Sequence, residues 1–296
     1  MKKYSYKIFI PGGNKTALVL GSGDLEQNKP LRKEIEQAIF SKHENDPDGK
    51  VEQVGFVDEF TPRLLMAGGE FCGNAMRSAV MHYLDGCEGT IEITVSGTNQ
   101  RLLAGINQSG EVFAQMPLLD KVEDAINCVK GGLYWVTIEG ISHLVVPQLQ
   151  STPYLKDIYA CDGEDKQIEI AVSFLSKTIA QNILPIGEAY GAIFLEQVTD
   201  TLKMHPFVQV GVAAEDNKPH YETACGSGAI CVGLVSALFR GKDALLGQTL
   251  SLPILQPSGE VIKAEIQCDK TGKITGKISG FVISKGTYEL GCAASD

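Results

Sequence analysis

Residues 72–80 read Cys-Gly-Asn-Ala-Met-Arg-Ser-Ala-Val, and residues 225–233 read Cys-Gly-Ser-Gly-Ala-Ile-Cys-Val-Gly. Each word is a cysteine, a glycine, a small polar residue and a small residue, running into an apolar stretch. One word falls in each half of the 296-residue chain. The second decides the fold. After Cys225 come Ala229, Ile230, Val232, Leu234, Val235, Ala237, Leu238 and Phe239, a helix to about Arg240 that is apolar nearly all round. Such a helix is buried on every side, as when a curved sheet encloses it.

The surrounding pattern supplies that sheet twice. In the first half, residues 4–10 and 16–20 read as strands joined by Pro11-Gly12-Gly13-Asn14, and a helix opens at Pro30 and runs to about His43. Gln53–Val57 and Arg63–Met66 are short strands, and Cys72 begins a helix to about Leu84. Ile91–Val95, Gln100–Ile106 and Glu111–Met116 alternate as an antiparallel meander. Leu118–Ile126 reads as a connector. The second half repeats the plan, with strands at Tyr134–Ile138 and Ser142–Val146, a helix at Ala171–Ile183 and strands at Gly191–Leu195 and Val208–Ala213. After the Cys225 helix, strands are expected near Leu250–Leu255, Val261–Gln267 and Lys273–Ile283.

At 296 residues, two domains are the default. A net charge of −10 argues against nucleic acid or an anionic membrane as the main partner, and leaves a small-molecule substrate. No apolar run is long enough to span a bilayer. The eight cysteines follow no framework spacing and form no Cys-x-x-Cys pair, which reads as reduced cytoplasmic thiols without a metal site. Six of them, Cys87, Cys128, Cys161, Cys231, Cys268 and Cys292, read as small buried hydrophobes.

The chemistry of the paired word follows from where it sits. A helix start presents unpaired N–H groups and a partial positive charge. Glycine after the cysteine lets a ligand approach the backbone, and Asn74 and Ser227 add polar side chains. Two such starts make a carboxylate site, and the same field lowers a thiol pKa. Cys72 and Cys225 then suit proton removal from one face of an amino-acid Cα and delivery to the other, with no cofactor.

Glu70-Phe71-Cys72-Gly73-Asn74 and Glu222-Thr223-Ala224-Cys225-Gly226-Ser227-Gly228 resemble the two cysteine motifs of the diaminopimelate epimerase-like racemases and epimerases. Gly13-Asn14, Gln53 and Gln256-Pro257-Ser258-Gly259 extend the resemblance over nearly the whole chain. It implies an α/β (α+β) fold of two pseudo-symmetric domains, each a curved, mostly antiparallel sheet around a central helix. The domains implied are 1–117 carrying Cys72, to which a C-terminal strand 277–296 returns, and 118–276 carrying Cys225, with the site in the cleft between them. Homodimers are common in that group.

Within the group, Glu52-Gln53-Val54-Gly55-Phe56 is similar to a word of the histidine racemases that feed metallophore synthesis. The resemblance implies Cys72 and Cys225 as the acid–base pair, and Gly73, Asn74, Gly226 and Ser227 as the carboxylate cradle. It gives Asn14, Gln53 and Glu222 polar contacts to substrate, and Glu52 a place beside an imidazole. Diaminopimelate epimerase itself is the nearest alternative. No arginine lies between Arg101 and Arg240 to hold that substrate's distal carboxylate, and Gly140-Ile141-Ser142-His143 stands where the group has Gly-Asn-Pro-His. A proline or hydroxyproline epimerase, an isomerase with a carboxylate in place of the cysteines, and a binding protein with structural cysteines are the other readings. His143, flanked by Leu144, Val145 and Val146, reads as a strand histidine rather than a proton carrier.

Overall fold

A computed structural model of the protein describes residues 2–21, 25, 27–119, 122–187, 189–210 and 219–292. They cluster into two compact units. One comprises residues up to Gln115 and those from Ser279 onward, and the other runs from Met116 to Ile278.

The first unit opens with β1 (Lys2–Pro11), β2 (Thr16–Leu20), α1 (Lys29–Lys42), β3 (Gln53–Val57), β4 (Arg63–Met66) and α2 (Gly73–Tyr83). It continues with β5 (Gly89–Val95), β6 (Arg101–Ile106) and β7 (Val112–Gln115). In the second unit come α3 (Val122–Ala125), β8 (Ile126–Val129), β9 (Leu133–Ile138), β10 (Ile141–Val146), α4 (Gln148–Ala160), α5 (Glu164–Asn182), β11 (Ala189–Val198) and β12 (Thr201–Val210). There follow β13 (His220–Tyr221), α6 (Gly226–Arg240), α7 (Lys242–Leu245), β14 (Thr249–Leu255), β15 (Val261–Cys268) and β16 (Ile274–Gly280). The last strand, β17 (Val282–Cys292), pairs antiparallel with β1.

Both units are built on one plan. In the first, the β1–β2 hairpin leads through α1 to β3, parallel to β2, and antiparallel β4 leads through α2 to β5, parallel to β4. In the second, the β9–β10 hairpin leads through α4 and α5 to β11, parallel to β10, and antiparallel β12 leads through α6 to β14, parallel to β12. Parallel neighbours need a crossover, and α2 and α6 are the corresponding crossovers. Antiparallel pairs β5–β6–β7 and β14–β15 complete the two plans.

Each crossover helix is sunk in its sheet. α2 packs against β1, β2, β3, β4, β6, β7 and β17, and every residue from Gly73 to Val80 is buried. α6 packs against β9, β10, β14 and β15, and every residue from Gly226 to Val235 is buried. Ile230, Val232, Leu234 and Val235 each contribute about 1.5–3 kcal/mol by leaving water. At the far end the helix is not enclosed. Leu238 and Phe239 are exposed, with Phe239 set edge-on against Tyr134 at 5.4 Å.

Several sequence expectations fail for identifiable reasons. The connector at 118–126 contains α3 and leads into β8. α4 has no counterpart among the expected elements; Pro153, a helix breaker by residue type, lies inside it. α5 begins at Glu164, seven residues before the apolar pattern. Pro206 similarly hides β12, which starts at Thr201 and ends at Val210, while 211–213 lie outside the described residues. The expected strand Lys273–Ile283 is two strands broken at Phe281. Cys231 and Cys268 are buried as expected. Cys87 and Cys128 are exposed and Cys161 is half-buried, because they fall in the turn after α2, on the outer face of β8 and at the end of α4. The side chain of Cys292 lies outside the description. Among the described residues, no helix is long and apolar enough to cross a membrane.

Candidate active site

Cys72 is the N-cap of α2, with φ −136° and ψ 113°, and Cys225 is the N-cap of α6, with φ −128° and ψ 107°. In both, the sulfur accepts a hydrogen bond at 3.3 Å from the amide three residues on, Ala75 or Gly228. A cap side chain that accepts from the first turn is ordinarily the oxygen of Ser, Thr, Asp or Asn. A thiol does this job less well, so its presence at both equivalent caps points to chemistry rather than capping. The first helical N–H groups, on Gly73 and Asn74 in α2 and on Gly226 and Ser227 in α6, lie outside each helix's own hydrogen-bond ladder.

In the first unit the structure groups most of the residues singled out in the sequence. Gln53, first residue of β3, accepts at Oε1 from the Cys72 thiol at 3.0 Å. Asn14, in the β1–β2 turn and fully buried, donates from Nδ2 to Glu52 Oε2 at 3.0 Å and accepts at Oδ1 from the Thr16 hydroxyl at 2.9 Å. The side chains of Asn14 and Glu52 thus engage each other. Asn74 turns its Oδ1 to the Arg77 guanidinium at 3.1 Å.

The second unit holds a tighter set. The Cys225 sulfur is 3.4 Å from Ser227 Oγ, and that oxygen is 2.8 Å from His143 Nε2. The Ser227 hydroxyl has one proton, so it can donate to the sulfur or to the imidazole, not to both. The backbone N–H of Cys225 donates to Gln256 Oε1 at 3.0 Å, and Gln256 is fully buried. Burial pushes the Cys225 thiol well above its usual range. The charge and hydrogen bond of the Glu222 carboxylate add to that rise, while Ser227 and the Gly228 amide oppose it. His143 is moved the other way, down to about 4 by burial, with Glu222 opposing. It is therefore neutral at pH 7.

Three residues near the cysteines were not assigned from the sequence. His143 was set aside because its apolar neighbours on β10 are those of any core strand. The bond to Ser227 spans 84 positions, and no local pattern signals it. Gln256 lay in a word read as a turn. Arg77 was hidden inside an apolar helix, although a charge among Ala75, Met76, Ala79 and Val80 is itself a signal.

The chain matches the family model described as the histidine racemase CntK N-terminal domain over residues 5–287. A histidine racemase of Fusobacterium nucleatum subsp. nucleatum is 27% identical over 263 residues, 84% of each chain. A histidine racemase of Staphylococcus aureus is 23% identical over 298 residues, 95% of this chain and 96% of that one. Among solved structures, a PhzF-family phenazine biosynthesis protein of Bacillus anthracis shares the fold, with TM-score 0.62 and 15% identity over 99% of this chain and 100% of that one. The chain belongs to the histidine racemase CntK N-terminal-domain family, and it is an isomerase of the racemase and epimerase kind.

Proposed function

We propose that this chain interconverts L- and D-histidine without a cofactor, using Cys72 and Cys225 as acid and base on opposite faces of Cα. The observation that carries the reading is the matched pair of cysteine caps, alike in backbone angles and in their 3.3 Å sulfur contacts. The family membership supports histidine as the substrate.

On this reading the first-turn amides of α2 and α6 take the substrate carboxylate. Negative charge that moves onto it as Cα loses its proton meets donors already in place. One sulfur enters the cycle as thiolate and removes the proton, while the other enters as thiol and supplies one. The roles reverse for the other enantiomer. Asn14, Glu52, Gln53 and Glu222 serve as polar contacts to the amino group or side chain, with Glu52 paired to the imidazole. The reading includes a cytoplasmic homodimer acting on a small molecule and serving metallophore synthesis.

The test is purified protein with each proteinogenic L-amino acid and with diaminopimelate, without added cofactor, read by chiral separation. D-Histidine as the main product supports the proposal. Turnover of diaminopimelate with none of histidine overturns the substrate, and no turnover of any amino acid overturns the reading.

A further inference from the structure

Arg77 is fully buried, with no measurable exposure, the most deeply buried arginine among the described residues of the first unit. An isolated buried guanidinium is costly and calls for a counter-charge. Here Nη2 donates to Asn74 Oδ1 at 3.1 Å, and Nε and Nη1 have no hydrogen-bond partner among the described residues. A long helical side chain runs back toward the helix N-terminus, and the bond to Asn74 fixes the guanidinium beside the first turn of α2, where Cys72 is the cap.

We infer that Arg77 is the positioning residue that holds Cys72 as a thiolate at rest, the buried cation and the sulfur each serving as the other's counter-charge. This rests on the acid–base reading of Cys72. Burial pulls the guanidinium down to about 10, and its charge interaction with Cys72 opposes that fall. It therefore stays charged at neutral pH. The strands packed on α2 bring little that competes. β2, β3 and β7 carry no charged residue. Arg63 on β4 is exposed, as are Arg101 on β6, paired with Glu92, and Lys285 and Glu289 on β17, paired with Asp48 and Lys3. Lys7 on β1 acts on His82 toward the far end of the helix. Glu36 is raised to about 7 by burial, to which the charge of Glu70, two residues before the cysteine, adds. In the second unit Cys225 is held as thiol by burial and Glu222. The two sulfurs thus enter the cycle unequal. A thiolate cannot donate to Gln53 Oε1, which lies 3.0 Å from the sulfur, so the inference requires the amide to be flipped, with Nε2 on the sulfur, in the resting state.

The experiment reads Cys72 directly. The pH dependence of its alkylation by iodoacetamide is followed by peptide mass spectrometry in the full chain, in Arg77→Met and in Arg77→Lys. The expected midpoint for Cys72 is at least about one unit below the ordinary thiol value of about 8.5. Arg77→Met raises it by at least about one unit, a loss of about tenfold in rate at pH 7, and Arg77→Lys keeps most of the depression. An ordinary midpoint in the unaltered chain overturns the inference, even if Arg77→Met does not fold. So does an Arg77→Met protein that is less stable yet titrates at Cys72 as before, which is the signature of packing alone. Alkylation needs no turnover. A depressed, Arg77-dependent midpoint in a protein that racemises nothing sinks the function and leaves this inference standing. Racemisation with an ordinary midpoint does the reverse.

Discussion

Acidification should destabilise this protein through His143, by an amount the structure sets. The ring is fully buried on β10, Nε2 bonds Ser227, and Nδ1 has no partner among the described residues. A methyl carbon added at Gly191 would lie 3.0 Å from Nδ1, so that nitrogen is packed close over the Gly191 backbone. Protonation puts an N–H on both ring nitrogens, and the one at Nδ1 has no hydrogen-bond acceptor among the described residues. The folded value is about 4, against 6.5 for the free side chain. Because the folded pKa is the lower one, the unfolded chain takes the proton first. Stability is unaffected well above pH 6.5, falls as pH drops from 6.5 toward 4, and levels off below. The full loss is about 3 kcal/mol, and about 2 kcal/mol is gone at pH 5. The assay is urea denaturation of the unaltered chain and of His143→Gln at pH 7.5 and pH 5. The unaltered chain should lose about 2 kcal/mol more than the variant between the two. Equal losses would refute the reasoning.

Other perturbations test the surroundings of Cys225. A methyl group at Gly228 would lie 2.7 Å from both Ile193 Cδ1 and Met204 Cε and 3.2 Å from the Cys225 sulfur. Although alanine favours a helix, Gly228→Ala should cost about 1–3 kcal/mol by overpacking and lower racemisation at least tenfold, read by thermal melting and chiral assay. A stable, fully active variant would contradict this. Ser227→Ala leaves His143 Nε2 unpaired in the interior, at about 1–3 kcal/mol. It also removes a hydrogen bond that favours the Cys225 thiolate, so the pH midpoint for alkylating Cys225 should rise, and an unchanged midpoint would exclude that role.

What the sequence made legible is what repeats. The two cysteine words mark the two crossover helices because each opens an apolar run of the kind a buried helix needs, with a cysteine where an oxygen cap is ordinary. Gln53–Val57 and Arg63–Met66 were bounded correctly because short apolar runs between turns are strands. α4 is missed and the start of β12 misplaced where Pro153 and Pro206 sit inside regular elements, a local signal overridden by packing. Asn14, Glu52 and Gln53 came from resemblance, and the structure adds that Asn14 bonds Glu52 and that Gln53 bonds Cys72. Arg77, His143 and Gln256 escaped because each acts through a side-chain bond or a burial state that spacing does not encode.

The origin of the hydrogen at Cα tests the central claim most directly. L-Histidine is incubated in deuterium oxide with the unaltered protein, with Cys72→Ser and with Cys225→Ser, and both enantiomers are weighed by mass at early times. Two sulfurs on opposite faces require D-histidine that carries deuterium while the remaining L-histidine does not, and no D-histidine from either folded serine variant. Racemisation surviving in one of those variants, or D-histidine that keeps its original hydrogen, would contradict the account.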